Sequence, residues 1–456
     1  MRLNRKTGKA QGVSALAAAM LGLAAAVVCG PPQAAEAAPG HDLVIVNARI
    51  MTVTHGTIEQ GSVWIHGGKI AGVGKKLDAP RGAKVIDAGG RYLTPGIIDA
   101  HSHIGMGGLY DPQDTNEIYG KPLGRFGGPV QSDLRIRDSI KTDDNGFYLL
   151  LSSGLTSGLE LPGSGNLFGG QAVPIKMKFG RPREEMFIDD APMSLKIACG
   201  TTPARVWKGR GVGIEKPEDV LTERRKVYAA ARAYRQSWVD FEKRRAAGDT
   251  SAVAPARDLK LEPIAKLLDG TAYLQMHCHG AEAIAAEVAL AKEFGITLRT
   301  VHHGTESYKV AKQLAAAGSM VLGVTDWWGG GVPVADGIPW NLLIDKKAGV
   351  RVAIHGEGFS IARRLTQEAG KMIRYSKGTL DRNDALAMVT LNAAYAFGLD
   401  NRLGSIDVGK DADIVIWDGD PLSSYGHAAQ VFIDGELFFD SSLPGLGLAH
   451  QSEKAQ

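Results

Sequence analysis

The chain has 456 residues, 44% of them hydrophobic and 22% charged, a composition typical of a globular protein with one large core and room for a smaller second domain. Its formal net charge of +3 is too small to indicate nucleic acid or an anionic membrane surface as a partner. With only three cysteines, the chain is not a disulfide-stapled scaffold.

Residues 1–37 have the pattern of a secretory signal peptide. A basic start (MRLNRKTGK) precedes an apolar, alanine-rich stretch, and Ala35-Glu36-Ala37 matches a small-x-small cleavage site. Cleavage after Ala37 removes four basic residues and one acidic residue, so the net charge falls from +3 to zero. We therefore expect an exported protein, periplasmic or extracellular, with no membrane attachment after cleavage. A single membrane anchor is the alternative, and the Pro31-Pro32 break argues against it.

The sequence of residues 41–94 predicts short alternating strands separated by glycine-rich turns, and residues 400–445 have the same pattern. This pattern favours a small β-sandwich built from both ends of the chain, with 446–456 as a tail. Residues 95–399 instead alternate apolar β-rich runs with alanine-rich helical stretches, which indicates βα units and a parallel sheet. A charged helical insertion is expected at about 216–265.

Eight β-rich runs lie in this middle region, and eight parallel βα units predict an α/β fold with a closed (β/α)8 TIM barrel. Chemistry in such a barrel sits at the carboxyl ends of the strands. The runs are GIIDAHSH, GLTSGLELP, AVPIKMK, SLKIACG, YLQMHCH, ITLRTVHH, MVLGVT and VRVAIHGE.

The first run ends in His101 and His103 with one serine between them. Side chains at i and i+2 of a strand point the same way, so both rings are expected to project into the barrel mouth toward one ion. Histidine pairs also occur on ordinary surfaces, so this pair alone is a weak signal. Other runs also end in groups of the kind that bind metals. These are Lys196, His277 with His279, His303 and Glu357. Together they predict a metal centre at the barrel mouth.

These motifs resemble those of the metal-dependent amidohydrolase superfamily, in its imidazolonepropionase-like and dipeptidase-like branch. The resemblance covers nearly the whole chain after residue 37. It implies a (β/α)8 barrel beside a β-sandwich, with one or two divalent metal ions, usually Zn2+, at the mouth; we expect two. The segments that carry it are PGIIDAHSHIG, GLTSGLELPGSGNLFGGQ, HCHGAEAI, VHHGTES, TLNAAYAFGL and GSIDVGKDADIVIWDGDP.

The resemblance also implies roles for individual metal ligands. His101 and His103 match the family's first-strand ligands, and His277 and His303 match its fifth-strand and sixth-strand ligands. Lys196 falls where two-metal members carry a lysine that reacts with carbon dioxide. The resulting carbamate offers two anionic oxygens that bridge two ions, which an ammonium cannot do.

Two of these assignments have a competing interpretation. Lys176, at the end of the third run, is the rival to Lys196 for the carbamate. Glu357 stands where the family usually has aspartate, the ligand that also takes and returns the proton. Its extra methylene can displace the carboxylate from the metal, so an impaired or altered site is an alternative hypothesis.

Several residues next to the expected ligands are candidate substrate contacts, although packing or a supporting role explains each of them as well. They are His279, His302, Arg210, Trp327 and Trp328. The glycine-rich loop PGSGNLFGGQ lacks the GK[ST] ending of a nucleotide-binding loop, so we do not predict a nucleotide site there. Cys199 and Cys278 end neighbouring strands, which would allow them to approach each other, but free, packed thiols are the expected outcome.

The predicted function is a secreted metal-dependent hydrolase that cleaves an amide C–N bond of a small peptide-like or N-acyl amino-acid substrate with a metal-activated hydroxide. A cyclic amidase or deaminase acting on a ring C–N bond is one alternative. A non-catalytic metal-bearing binding protein, suggested by Glu357, is the other. Homo-oligomers are common in such families, but nothing in the sequence indicates an interface.

Overall fold

The computed structural model describes residues 42–106, 128–329 and 335–443. The predicted signal peptide and the tail lie outside these residues. Within the described ranges, every helix is too short or too polar to cross a bilayer.

Eight strands from the two ends of the described chain form a β-rich domain with its own core. Ile45 of the first strand pairs with Val63 of the second, and Leu43 with Ile65, and all four side chains are buried. The predicted small β-sandwich is thus confirmed as a β-rich domain built from both ends. The strands are β1 (Leu43–Met51), β2 (Thr57–His66), β3 (Lys69–Gly74), β4 (Lys84–Asp87), β5 (Tyr92–Pro95), β14 (Ile414–Asp418), β15 (His427–Ile433) and β16 (Glu436–Asp440). Their order in the sheet is β16-β15-β14-β5-β1-β2-β3, with β4 also paired to β1.

A second sheet of eight strands forms the barrel and confirms the (β/α)8 prediction. The strands follow one another around it in chain order and nearly close it. The seam between the last strand and the first is bridged by the backbone N–H of Glu357, which donates to the carbonyl of His101 at 3.0 Å. The strands are β6 (Ile97–Ser102), β7 (Leu155–Glu160), β8 (Phe168–Lys176), β9 (Met193–Ala198), β10 (Ala272–Cys278), β11 (Leu298–His303), β12 (Met320–Gly323) and β13 (Val352–Ile354).

One barrel strand runs against the others, so the prediction of eight parallel units is wrong for β8. Its residue Lys176 pairs with Ser157 of β7 in an antiparallel register, and its pairing with β9 is antiparallel as well. The cause is the short 161–167 connection, because a parallel crossover needs a dozen or more residues. The carboxyl end of β8 therefore lies at the opposite end of the barrel from the mouth.

Helices connect and cover the barrel strands. The helices after β10 and β11 end at Gly295 and Gly318, each in the left-handed conformation that glycine adopts without strain. The helices are α1 (Asn145–Leu151), α2 (Arg183–Met186), α3 (Thr201–Trp207), α4 (Pro217–Ala246), α5 (Leu261–Leu268), α6 (Ala281–Phe294), α7 (Ala311–Ala317), α8 (Asn341–Lys347), α9 (Phe359–Ala362), α10 (Leu365–Tyr375), α11 (Arg382–Ala387) and α12 (Leu391–Ala396), with 3-10 turns at Ile136–Ser139 and Ser307–Lys309.

The predicted charged insertion at about 216–265 contains the long helix α4 and the first part of α5. Arg224 of α4 is fully buried, although α4 is largely exposed. Its guanidinium pairs with Glu287 of α6 and donates to the carbonyls of Leu167, at 3.1 Å, and Ala198. A buried charge needs such partners, so Arg224 anchors the insertion to the barrel wall.

Candidate active site

Histidines from three barrel strands meet at the mouth. His101 lies in β6 and His303 ends β11, while His355 and Glu357 follow β13. His303 and Glu357 have positive φ angles of 70° and 61°. Left-handed backbone costs a non-glycine residue about 1–3 kcal/mol, and such residues cluster at functional sites.

The ligand atoms of these four residues lie within 4.8 Å of one another. Glu357 Oε2 is 3.2 Å from His101 Nε2 and 3.6 Å from His303 Nδ1. His103 joins them, since its Nε2 is 3.3 Å from His101 Nε2. We call His101, His103, His303, His355 and Glu357 the metal cluster.

His355 is the member of the metal cluster that the sequence interpretation missed. Its ring stacks on that of His101, with centroids 4.8 Å apart and planes at 21°. A signal was present, because His355 and Glu357 have the same i, i+2 spacing as His101 and His103.

The residues of the metal cluster fit a divalent ion. Glu357 Oε2 and both ring nitrogens of His303 and His355 are buried without a hydrogen-bond partner among the described residues. Each such atom costs about 1–3 kcal/mol when it is left unsatisfied. Imidazole nitrogens and a carboxylate oxygen form the donor set that zinc and related ions prefer.

Lys196 lies beside the metal cluster, as expected. It is fully buried, and its Nζ donates to the carbonyl of Pro162 at 3.4 Å. Its positive charge lowers the pKa values of His101, His103 and Glu357. Burial lowers the pKa of Lys196 to about 8, which increases the fraction of neutral amine that a reaction with carbon dioxide requires.

Lys176, the rival for the carbamate, is remote from the mouth because β8 runs the other way. Its Nζ donates to Asp411 at 2.8 Å and Asp413 at 3.1 Å, and it also pairs with Asp434. Burial alone would lower the pKa of Lys176, but these carboxylates raise it above its ordinary value. It therefore stays an ammonium within an ion cluster under the barrel.

His277 and His279 flank the metal cluster. The His277 ring lies 4.4 Å from that of His303, and its Nε2 is 3.2 Å from Thr202 Oγ1. The His279 ring stacks on that of His303 at 5.0 Å. Burial lowers the pKa of His279 to about 4 and that of His277 well below its usual value. Both rings are thus neutral near pH 7, as metal or substrate contacts require.

The other candidate substrate contacts divide into two groups. Trp327 stacks on His303, with centroids 5.3 Å apart and planes at 21°, so it belongs to the mouth. His302 is fully buried with both nitrogens engaged, which leaves it no atom for a substrate. Trp328 is half exposed, and Arg210 lies over Trp207. Among the described residues, neither Trp328 nor Arg210 contacts the metal cluster.

Cys199 and Cys278 form a disulfide, so the expectation of free thiols is wrong. The register of β9 and β10 is the cause. Because Ala198 pairs with His277, the next residue of each strand is also a neighbour, and the two Cα atoms lie 5.2 Å apart. The bond joins the strand that carries Lys196 to the one that carries His277.

Comparisons with known proteins agree with this geometry. The amidohydrolase family model matches residues 305–438. A crystal structure of an amidohydrolase from Thermotoga maritima MSB8 superimposes with a TM-score of 0.75 and 28% identity, covering 87% of this chain and 100% of that one. The chain belongs to the amidohydrolase superfamily. The resemblance seen in the sequence motifs is thus confirmed at the level of the superfamily.

Two further relatives of this chain match it over a smaller share of their own length. The amidohydrolase tasK of Hapsidospora irregularis is 30% identical over 413 residues, 83% of this chain, but the chain spans only 40% of that relative's length. An adenine deaminase of Desulfatibacillum aliphaticivorans is 52% identical over 64 residues, 14% of this chain and 10% of the deaminase.

Proposed function

We propose that this amidohydrolase is an exported, metal-dependent enzyme that cleaves the amide C–N bond of small peptide-like or N-acyl amino-acid compounds. The observation that carries the proposal is the metal cluster itself, a buried group of histidine nitrogens and one carboxylate oxygen at the catalytic end of the barrel.

The metal cluster would hold one divalent ion. Lys196, as a carbamate, and His277 would help to hold a second. When bound, such ions activate a water molecule and polarise a carbonyl. Mass measurement of the intact protein, which detects an added carbon dioxide on Lys196, together with a metal count that falls in Lys196→Ala, tests the second ion.

Glu357 is the residue suited to moving the proton. Burial raises its pKa to about 7, although the nearby charge of Lys196 opposes the shift. A carboxyl group with a pKa near the working pH can take a proton from water and return it to a leaving amine. Glu357, although it stands where the family usually has aspartate, can therefore act as the base.

Trp327 supports an apolar or aromatic group on the substrate. Its half-buried ring extends the stacked rings of His303 and His279 and forms one wall of the mouth. Hydrophobic walls with a few polar groups are typical of small-molecule sites.

Purified protein loaded with zinc tests the proposal against panels of dipeptides, N-acyl amino acids, cyclic amides and aminopurines. We expect hydrolysis of peptide-like amides that disappears in Glu357→Ala and persists in the control His427→Ala, at an exposed histidine of β15. Ring opening or ammonia release without amide cleavage would establish a cyclic amidase or deaminase instead. Full zinc occupancy without turnover on any panel would establish a metal-bearing binding protein.

A further inference from the structure

A chain of buried hydrogen bonds leads from a helix carbonyl to the metal cluster. Gln275 Nε2 lies 2.9 Å from the carbonyl oxygen of Ala396, at the end of α12, and 3.1 Å from Ser194 Oγ. Gln275 Oε1 lies 2.8 Å from His302 Nε2, and His302 Nδ1 lies 2.9 Å from His101 Nδ1.

The first link of this chain has only one possible direction. A carbonyl oxygen only accepts, so the amide nitrogen of Gln275, not its oxygen, must face Ala396. The oxygen of Gln275 then faces His302, and an amide oxygen also only accepts. His302 Nε2 must therefore carry a proton and donate it to Gln275.

The second link follows from the first. His302 and His101 are both fully buried, which favours neutral rings with a single proton each. Since the proton of His302 is on Nε2, its Nδ1 has a lone pair and accepts. His101 Nδ1 must be the donor, which leaves His101 Nε2 without a proton.

We propose that Gln275 and His302 are positioning residues that hold His101 in its Nδ1–H tautomer, so that the Nε2 lone pair faces the metal cluster. The proposal deepens the proposed function and rests on it in one respect, that the cluster binds a metal ion. In the other tautomer, Nε2 would carry a proton directed at Glu357, and no lone pair would remain for an ion.

The geometry of His103 agrees with this assignment. His103 Nδ1 lies 2.7 Å from the carbonyl of Leu161 and must donate to it, so its Nε2 also presents a lone pair. Lone pairs of His101 and His103 then face each other across 3.3 Å, with Glu357 Oε2 at 3.2 Å from the former. Three acceptor atoms this close repel one another unless a cation or a shared proton lies among them, and the proposed metal ion is such a cation.

The test is the zinc affinity of the full chain, measured by competition with a chelator. Gln275→Met removes the acceptor of His302, so that His302 can move its proton to Nδ1 and push His101 into the wrong tautomer. We expect zinc affinity to fall about 10- to 100-fold. Ser194→Ala is the matched control, because it removes a contact of the same amide while Ala396 still sets its direction, and its affinity should stay within about two-fold.

A double-mutant cycle gives a readout that a packing role alone would not. His302→Phe breaks the same chain one step later, so adding Gln275→Met to it should cost no further affinity. Equal zinc affinity in wild type and Gln275→Met, or fully additive losses, would overturn the proposal.

The tautomer is also measured directly, on metal-free wild type labelled with 15N-histidine, with the His101 signals assigned by their loss in His101→Asn. Protonated Nδ1 is expected, and protonated Nε2 would overturn the proposal even if Gln275→Met did not fold. If wild type bound no zinc, the proposed function would fail while this measurement would still decide the tautomer.

Discussion

The ring of His355 is placed by packing, since it stacks on His101 and its nitrogens have no hydrogen-bond partner among the described residues. A buried imidazole of this kind satisfies its lone pair only through an ion or a solvent molecule. Substitution of His355 therefore tests most directly whether the residues of the metal cluster bind one ion together.

His355→Ala should weaken zinc binding by at least about 100-fold, because loss of even a supporting partner of a ligand costs 10- to 100-fold. Metal content after dialysis against a weak chelator, together with amide hydrolysis, measures the effect. His427→Ala, at an exposed histidine of β15, is the matched control. An unchanged zinc affinity would remove His355 from the metal cluster.

Most of the site residues could be predicted, because His101, His103, His303 and Glu357 occupy strand ends that converge at one face. Two differences between the predictions and the structure have physical causes. Lys176 was a candidate only because an apolar run does not show in which direction its strand runs. The pairing of Cys199 with Cys278 depends on the register of two strands, which their separate sequences do not contain.

The reversed strand β8 places Lys176 against the β-rich domain. There Asp411 accepts from Lys176 and from Arg402, at 2.9 Å, and pairs with Lys69. Burial alone would raise the pKa of Asp411, but these cations lower it to about 2. The ion cluster therefore links the barrel to the β-rich domain.

Acid should weaken this link. A folded-state pKa below the ordinary value of 3.8 means that the contribution of Asp411 is complete above about pH 4 and is lost as the pH falls toward 2. The shift corresponds to about 2 kcal/mol. Urea unfolding between pH 5 and 2.5 should show a shallower acid loss in Asp411→Asn than in wild type. Parallel curves for the two proteins would contradict this account.

The disulfide closes a loop of 79 residues that contains α3, α4 and α5. Cross-linking a loop of this length restricts the unfolded chain and is worth about 4 kcal/mol in the chain-entropy model. Cys199→Ser with Cys278→Ser should lower the free energy of unfolding by up to this amount. Adding reductant to unfolded wild type should reproduce the loss, and an identical stability with and without the bond would show that it does not constrain the chain.

The disulfide is consistent with the predicted export, because such bonds persist in oxidising compartments. The signal peptide lies outside the described residues and stays a prediction. Amino-terminal sequencing of the protein recovered from a periplasmic fraction should begin at Ala38. Recovery of the uncleaved chain from the membrane fraction would favour the anchor instead.

The barrel and the β-rich domain could be predicted from the sequence. The spacing of the β-rich runs and the alternation of apolar and polar residues indicate which side chains of each segment are buried. Relations between distant segments were not accessible in this way. The direction of β8, the register of β9 and β10, and the place of Gln275 behind His302 all depend on segments far apart in the chain.

The seam of the barrel couples closure of the sheet to assembly of the metal cluster. Glu357 bridges the last strand to the first through its backbone and offers its side chain to the same histidine, His101, whose carbonyl it engages. A nascent or partly unravelled chain lacks that junction and so has no complete set of ligands. Binding of the proposed ion would therefore require the finished barrel, and the bound ion would in turn hold the last strand against the first.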